Sequence, residues 1–228
     1  MVNRVVAHLG GRPPYPLHRL DSPTSGVLLF AKSVVSARHV QYQFRTRTTR
    51  KAYLAVLLGS GMDDCFTVDQ PIAMHPENRT LSLIVTDEVR AAFPSLKASG
   101  GKASLTHFNV LARGERAAAC AVHPVTGRMH QIRVHAEHVG HPLAGDTQYG
   151  LAAQPTLPSC NRLLLHAHSL RVLHPTQHKL VTFTAPPPIA FVEEAVALGI
   201  SVADMSALVG AAKADSVAWE EPEAADER

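Results

Sequence analysis

Apolar positions recur along this chain with two periods, and the shorter one dominates. Near-continuous apolar runs over 27–33 and 52–58 read as strands with both faces covered. Further short strands are expected at 67–72, 81–85, 104–111, 117–122, 163–173 and 179–185. Pro94 and the pair Gly100-Gly101 mark loops between them. The helical period shows over 34–46, where Val34, Val35, Val40 and Phe44 recur behind Ser33, a ready N-cap. It returns over 127–139, where Met129, Ile132, Ala136 and Val139 form a narrow stripe. Arg133 falls about 80° from the centre of that stripe and borders its apolar face. Prolines 186–188 end the strands, and 189–198 reads as a last helix. Many strands with few interleaved helices predict an α+β fold rather than a doubly wound parallel sheet.

After Gly199 large core-forming side chains become scarce, apart from Trp219, so residues 1–200 are expected to form the domain. Residues 201–228 are expected to be an acidic, Ala-rich tail that is partly disordered. The tail changes the meaning of the net charge of +3, because seven acids there face two bases. That leaves +8 on the first 200 residues, a balance suited to a polyanionic partner such as RNA. No apolar run approaches the roughly 20 residues that span a bilayer, and Gly10-Gly11 interrupts the N-terminus too early for a signal peptide. Cys65, Cys120 and Cys160 are an odd, widely spaced set, read as reduced and buried thiols of an intracellular protein.

Chemistry gathers at His18-Arg19-Leu20-Asp21-Ser22-Pro23-Thr24-Ser25-Gly26, a carboxylate between a cation and a tight turn at the mouth of a strand. Three further segments follow in order. They are Lys51-Ala52-Tyr53-Leu54-Ala55, then Thr126-Gly127-Arg128-Met129-His130-Gln131-Ile132-Arg133 with Gly145-Asp146 and Tyr149-Gly150 behind it, and Leu165-His166-Ala167 with His174-Pro175. Together they resemble the motifs of the RluA-type RNA pseudouridine synthases and span residues 18 to 188. The resemblance implies a bent, mostly antiparallel mixed sheet with a central cleft, flanked by helices and loops. It also implies an isomerase that converts uridine to pseudouridine in structured RNA, ribosomal or transfer, without cofactor or metal, acting as a monomer. Only seventeen residues precede His18, so a stand-alone catalytic domain with a short lead-in is expected, without the small RNA-binding domain some relatives carry in front.

By that resemblance Asp21 is the essential carboxylate, as nucleophile or as base, with Tyr53 against the target base and Arg133 paired to Asp21. Arg19 would fill the stack left by an extruded base, at a site where extrusion costs a few kcal/mol. His18, Thr24, Arg128, His130, Gln131 and Ile132 complete the expected substrate-binding set. Each has a plainer reading: Asp21 as a turn cap, Tyr53 as half-buried core, Arg133 as an exposed partner of Glu137 worth about 0.3–0.5 kcal/mol.

Two other functions compete with this one. An RNA-binding module could keep the fold without turnover. A metal-dependent hydrolase could use His130, His135, His138 and His141, or His166, His168 and His174, although neither set has a recognised ligand spacing. No phosphate-cradling glycine loop and no Gly-x-Ser-x-Gly elbow is present.

Overall fold

A computed structural model describes residues 2–96, 100–150 and 160–213. Its elements run α1 (Val2–His8), β1 (Tyr15–Pro16), β2 (Ser25–Gly26), β3 (Phe30–Ala31), α2 (Val34–Arg45), β4 (Arg50–Leu58), β5 (Cys65–Asp69), β6 (Ile72–Met74), β7 (Ser82–Ile84) and α3 (Asp87–Ala92). Then come β8 (Leu105–Arg113), β9 (Ala117–Pro124), α4 (Gln131–His138), β10 (Leu165–Leu173), β11 (Leu180–Thr184), α5 (Ile189–Ala197) and α6 (Val202–Lys213). The main sheet has the order β11-β10-β4-β9-β8-β5, antiparallel along that path, and β2 adds to β10 in parallel. This is the expected α+β architecture with a mixed, mostly antiparallel sheet.

The unbroken apolar run of β4 follows from its central place. Leu54, Val56 and Leu58 face one core with Phe191, Ala195 and Leu198 of the α5 region. Ala55 and Leu57 face another with Phe108, Val122 and, from α4, Ile132 and Ala136. Both faces are covered, so the strand has no polar side to alternate with. Alanines 117–119 and 121 of β9 are fully buried, and such small side chains let covering elements approach closely.

Helix α2 starts as expected, with the Ser33 hydroxyl accepting from the Ser36 N–H, and packs Ala37, Val40 and Phe44 against Leu170 and Val172 of β10. The strand expected over 27–33 is instead divided. The chain pairs with β10 at Ser25–Gly26, then leaves to pair with β1 at Phe30–Ala31. The run expected at 67–72 also splits, β5 pairing with β8 and β6 with β7 around Gln70-Pro71. Helix α4 begins only at Gln131, so Met129 lies before it and Val139 at its end is exposed.

Helices α1, α3 and α6 were not anticipated. Thr86 caps α3 by accepting from Val89 N–H, with Asp87 and Glu88 in the first turn. α6 carries the packed body past residue 200, because Met205 is fully buried against the α5 side of the core. The rest of the expected tail, 214–228, lies outside the described residues. Among the described residues no helix is long and apolar enough to cross a membrane. Cys65 is exposed rather than buried, and all three thiols are free.

Candidate active site

The loop bearing Asp21 is pinned at both ends. At its start, His18 Nε2 accepts from the Leu29 N–H at 3.0 Å, and its ring packs 5.2 Å from Phe44. Burial lowers the His18 pKa, which keeps that nitrogen free to accept. A turn closes Asp21 onto Thr24, whose N–H reaches the Asp21 carbonyl at 2.9 Å. At its end, β2 lies so close to β10 that a Cβ on Gly26 would stand 2.2 Å from the Ala167 carbonyl oxygen. Gly26 also has φ +118, so no other residue fits there without strain.

A polar chain reinforces this end. Arg162 donates to Ser25 Oγ at 2.7 Å, Ser25 Oγ meets His166 Nδ1 at 2.8 Å, and His166 Nε2 meets the Ala185 carbonyl at 2.9 Å. A carbonyl only accepts, so His166 carries its proton on Nε2 and Ser25 donates to Nδ1. His168 Nδ1 donates to the same carbonyl at 3.0 Å.

Across the cleft, Arg133 is buried, and its main partner is not Asp21. Its Nε and one terminal nitrogen each reach a carboxylate oxygen of Asp146 at 2.7 Å, a bidentate pair. The same terminal nitrogen donates to Gln148 Oε1 at 2.8 Å. The other terminal nitrogen points toward Asp21 Oδ2 at 3.8 Å. Burial opposes the Arg133 charge, but Asp146 and then Asp21 outweigh it and raise the pKa above its ordinary value. The expected Asp21–Arg133 pairing is therefore present as a looser second arm, and Glu137 stays exposed to solvent.

Tyr53 stands on β4 opposite Val122 of β9 and Ala167 of β10. Burial, helped by the Asp21 charge, pushes its phenol up to about 12, so near neutrality it is an O–H donor and not a phenolate. Lys51 sits two residues earlier, and burial with the nearby Arg47 charge lowers it to about 8. Its Nζ donates to the Thr126 carbonyl at 2.7 Å and ties β4 to the segment leading into α4.

These groups line one open cavity of about 350 Å³, in the range of sites that hold a small molecule or a single base. Asp21, Tyr53, Arg133, Arg19, His18, Thr24, Arg128, His130, Gln131 and Ile132 all border it. Arg19 is exposed at the mouth. Arg128 folds over the rim onto the Ala103 carbonyl at 3.2 and 3.3 Å. Ile132 supplies apolar wall. Thr24 Oγ1 is sealed from water without a hydrogen-bond partner.

Gln131 differs from expectation. Its amide donates to Leu105 O and Thr106 Oγ1, both at 2.9 Å, and accepts from Thr126 Oγ1 at 2.7 Å and Arg128 N at 3.0 Å. All four positions of the side-chain amide are satisfied within the fold, so it braces the cavity wall instead of presenting polar atoms to a ligand.

Asp146 and Tyr149 stand in a sequence motif that by itself gives them no role, whereas His166, weighed above as a metal ligand, is a hydrogen-bonded structural histidine. The histidine sets weighed as metal ligands have other partners. His135 meets the Gln70 carbonyl at 3.1 Å and His141 that of Leu58 at 2.9 Å. Among the described residues no three His, Cys, Asp or Glu side chains are grouped to hold a metal ion.

Comparison with known proteins fits this geometry. The chain matches the RNA pseudouridylate synthase family over residues 2–138 and belongs to that family. It is 36% identical over 173 residues to the ribosomal large subunit pseudouridine synthase C of Vibrio vulnificus, covering 75% of this chain and 50% of that protein. It is 37% identical over 173 residues to the dual-specificity RNA pseudouridine synthase RluA of Pasteurella multocida, covering 75% of this chain and 73% of that one. The chain thus spans about half the length of the synthase C relatives it matches. Among solved structures, human RNA pseudouridylate synthase domain containing 1 superposes with a TM-score of 0.69 at 28% identity, over 91% of this chain and 84% of that one.

Proposed function

We propose that this chain is an RNA pseudouridine synthase that isomerises uridine in a structured RNA, with Asp21 as its essential carboxylate. The observation that carries the reading is the placement of Asp21. It stands on the wall of a base-sized cavity, 3.8 Å from a buried arginine whose strongest bonds go to a different acid. A carboxylate so placed sits in the field of a cation yet retains lone pairs for chemistry.

The reaction breaks the N1–C1′ bond of uridine and forms C5–C1′, while one proton leaves C5 and one is gained at N1. It is neutral in redox terms and needs no electron acceptor. Tyr53 forms the floor under the base and offers an O–H. Arg133 orients Asp21, and Arg19, exposed on the cavity lining, would occupy the stack from which the nucleotide is drawn. The names of the relatives make ribosomal RNA the first substrate to test, and the motif resemblance adds transfer RNA; the protein is read as intracellular and monomeric.

The test is incubation of wild type and Asp21→Asn with total RNA, mapped by pseudouridine-specific labelling and sequencing. New sites that vanish in the variant are expected. Sites made equally by both proteins, or by neither while both are folded and bind RNA, would overturn the assignment.

A further inference from the structure

His130 is the one cavity residue whose backbone is in an unusual conformation. It occupies the N-cap position of α4 at φ 55 and ψ 21, the left-handed region, which non-glycine residues enter only at some energetic cost. Its side chain makes no capping bond to the helix. The conformation instead aims the ring between Tyr149 and Asp21. Nδ1 lies 2.9 Å from Tyr149 Oη, and Nε2 lies 4.0 Å from Asp21 Oδ1.

Tyr149 is itself held on three sides. Its hydroxyl oxygen accepts from Ser82 N–H at 2.8 Å, its own N–H donates to Asp146 Oδ1 at 3.1 Å, and the Arg133 guanidinium lies 4.9 Å over its ring. With the phenol oxygen accepting from Ser82, its hydrogen is free to donate to His130 Nδ1. The imidazole proton then sits on Nε2, facing a carboxylate. The other tautomer would set a nitrogen lone pair against that carboxylate. Each Asp21 oxygen therefore has a donor of its own, Arg133 toward Oδ2 and His130 toward Oδ1.

We propose that His130 is a positioning residue for Asp21, locked by Tyr149 in its Nε2–H tautomer so that it holds one carboxylate oxygen while Arg133 holds the other. Separations of 3.8 and 4.0 Å are wide for hydrogen bonds, and such contacts tighten when substrate closes the site. The inference rests on the reading of Asp21 as the essential carboxylate. The charges facing the ring are Asp21 and Asp146, which raise its pKa, and Arg133 and Arg19, which lower it. Burial is the largest influence, and the pKa lies below the ordinary histidine value, so the ring is neutral at pH 7. Protonation would turn Nδ1 into a donor, displace the Tyr149 hydrogen and clamp Asp21 between two cations. Turnover should then decline on the acid side.

Nitrogen NMR of the imidazole ring tests the geometry in the free protein, with His130→Asn, which tolerates the left-handed backbone, supplying the assignment. The Nε2–H tautomer is expected, and Asp21→Asn should lower the His130 pKa by removing an anion that raises it. In the RNA assay, kcat should fall about tenfold in His130→Asn and in Tyr149→Phe, with KM for RNA within about twofold. The acid limb of the kcat profile should shift in Tyr149→Phe and flatten in His130→Asn. An Nδ1–H tautomer, a ring titration indifferent to Asp21→Asn, or wild-type kcat and pH profile in His130→Asn would overturn the inference. No product from wild type, with the ring coupling intact, would instead sink the catalytic reading and leave the coupling of His130 to Asp21 standing.

Discussion

Two carboxylates flank Arg133, and they are held in opposite ways. Asp146 is almost wholly buried, takes the guanidinium Nε and one terminal nitrogen at 2.7 Å and also accepts the N–H groups of Gln148 and Tyr149 at 3.0 and 3.1 Å. Asp21 has a side chain 19% exposed, and its neighbouring cation and imidazole stop at 3.8 and 4.0 Å. One acid is saturated and fixes the arginine; the other sits in that arginine's field with its lone pairs available. The tighter ion pair is thus the structural one, and the looser partner is the acid proposed to react.

The most direct way to break this contrast is to neutralise each acid. Asp21→Asn should lower turnover by at least about a thousandfold, roughly 4 kcal/mol of barrier, with a melting temperature close to wild type. Rate assays beside calorimetry would show it. Asp146→Ala should do the reverse first, destabilising the fold by about 3–5 kcal/mol because it strands a buried guanidinium. A denaturant midpoint near that of wild type would mean Asp21 can replace Asp146 as the partner.

The anchors of the Asp21 loop sharpen the comparison on a smaller scale. Ser25→Ala removes the middle of the Arg162–Ser25–His166 chain and should cost about 1–2 kcal/mol in denaturant unfolding, with a modest loss of kcat. His166 supplies the weakest effect, through pH. Burial is the main cause that lowers its folded pKa below 6.5, so the unfolded chain binds the proton first. Its contribution is complete above 6.5 and is lost as pH falls below that value. In His166→Gln the acid-side slope of unfolding free energy against pH should become shallower.

Much of this arrangement was legible in one dimension, and where it failed the reasons are specific. β4 and α2 were readable because burial on both faces, or a Ser33 cap with an apolar stripe, leaves a local signature. The 27–33 strand was misread because a partner switch from β10 to β1 leaves the run just as apolar. α6 was underrated because a single Met205 can seal a helix onto an existing core. Gln131 looked like a ligand contact because a motif records which residue is required and not which way it points.

Sequence alone determined the family and the α+β class, and it singled out Asp21, Tyr53 and Arg133 as candidates, since these depend on residue type at set spacings along the chain. The tertiary structure alone decided that Arg133 belongs first to Asp146, that His130 turns left-handed toward Asp21, and that Ser25 hangs from His166, 141 positions away. Such contacts depend on distances closed by strand pairing and side-chain direction, and no local pattern of polar and apolar residues encodes those distances.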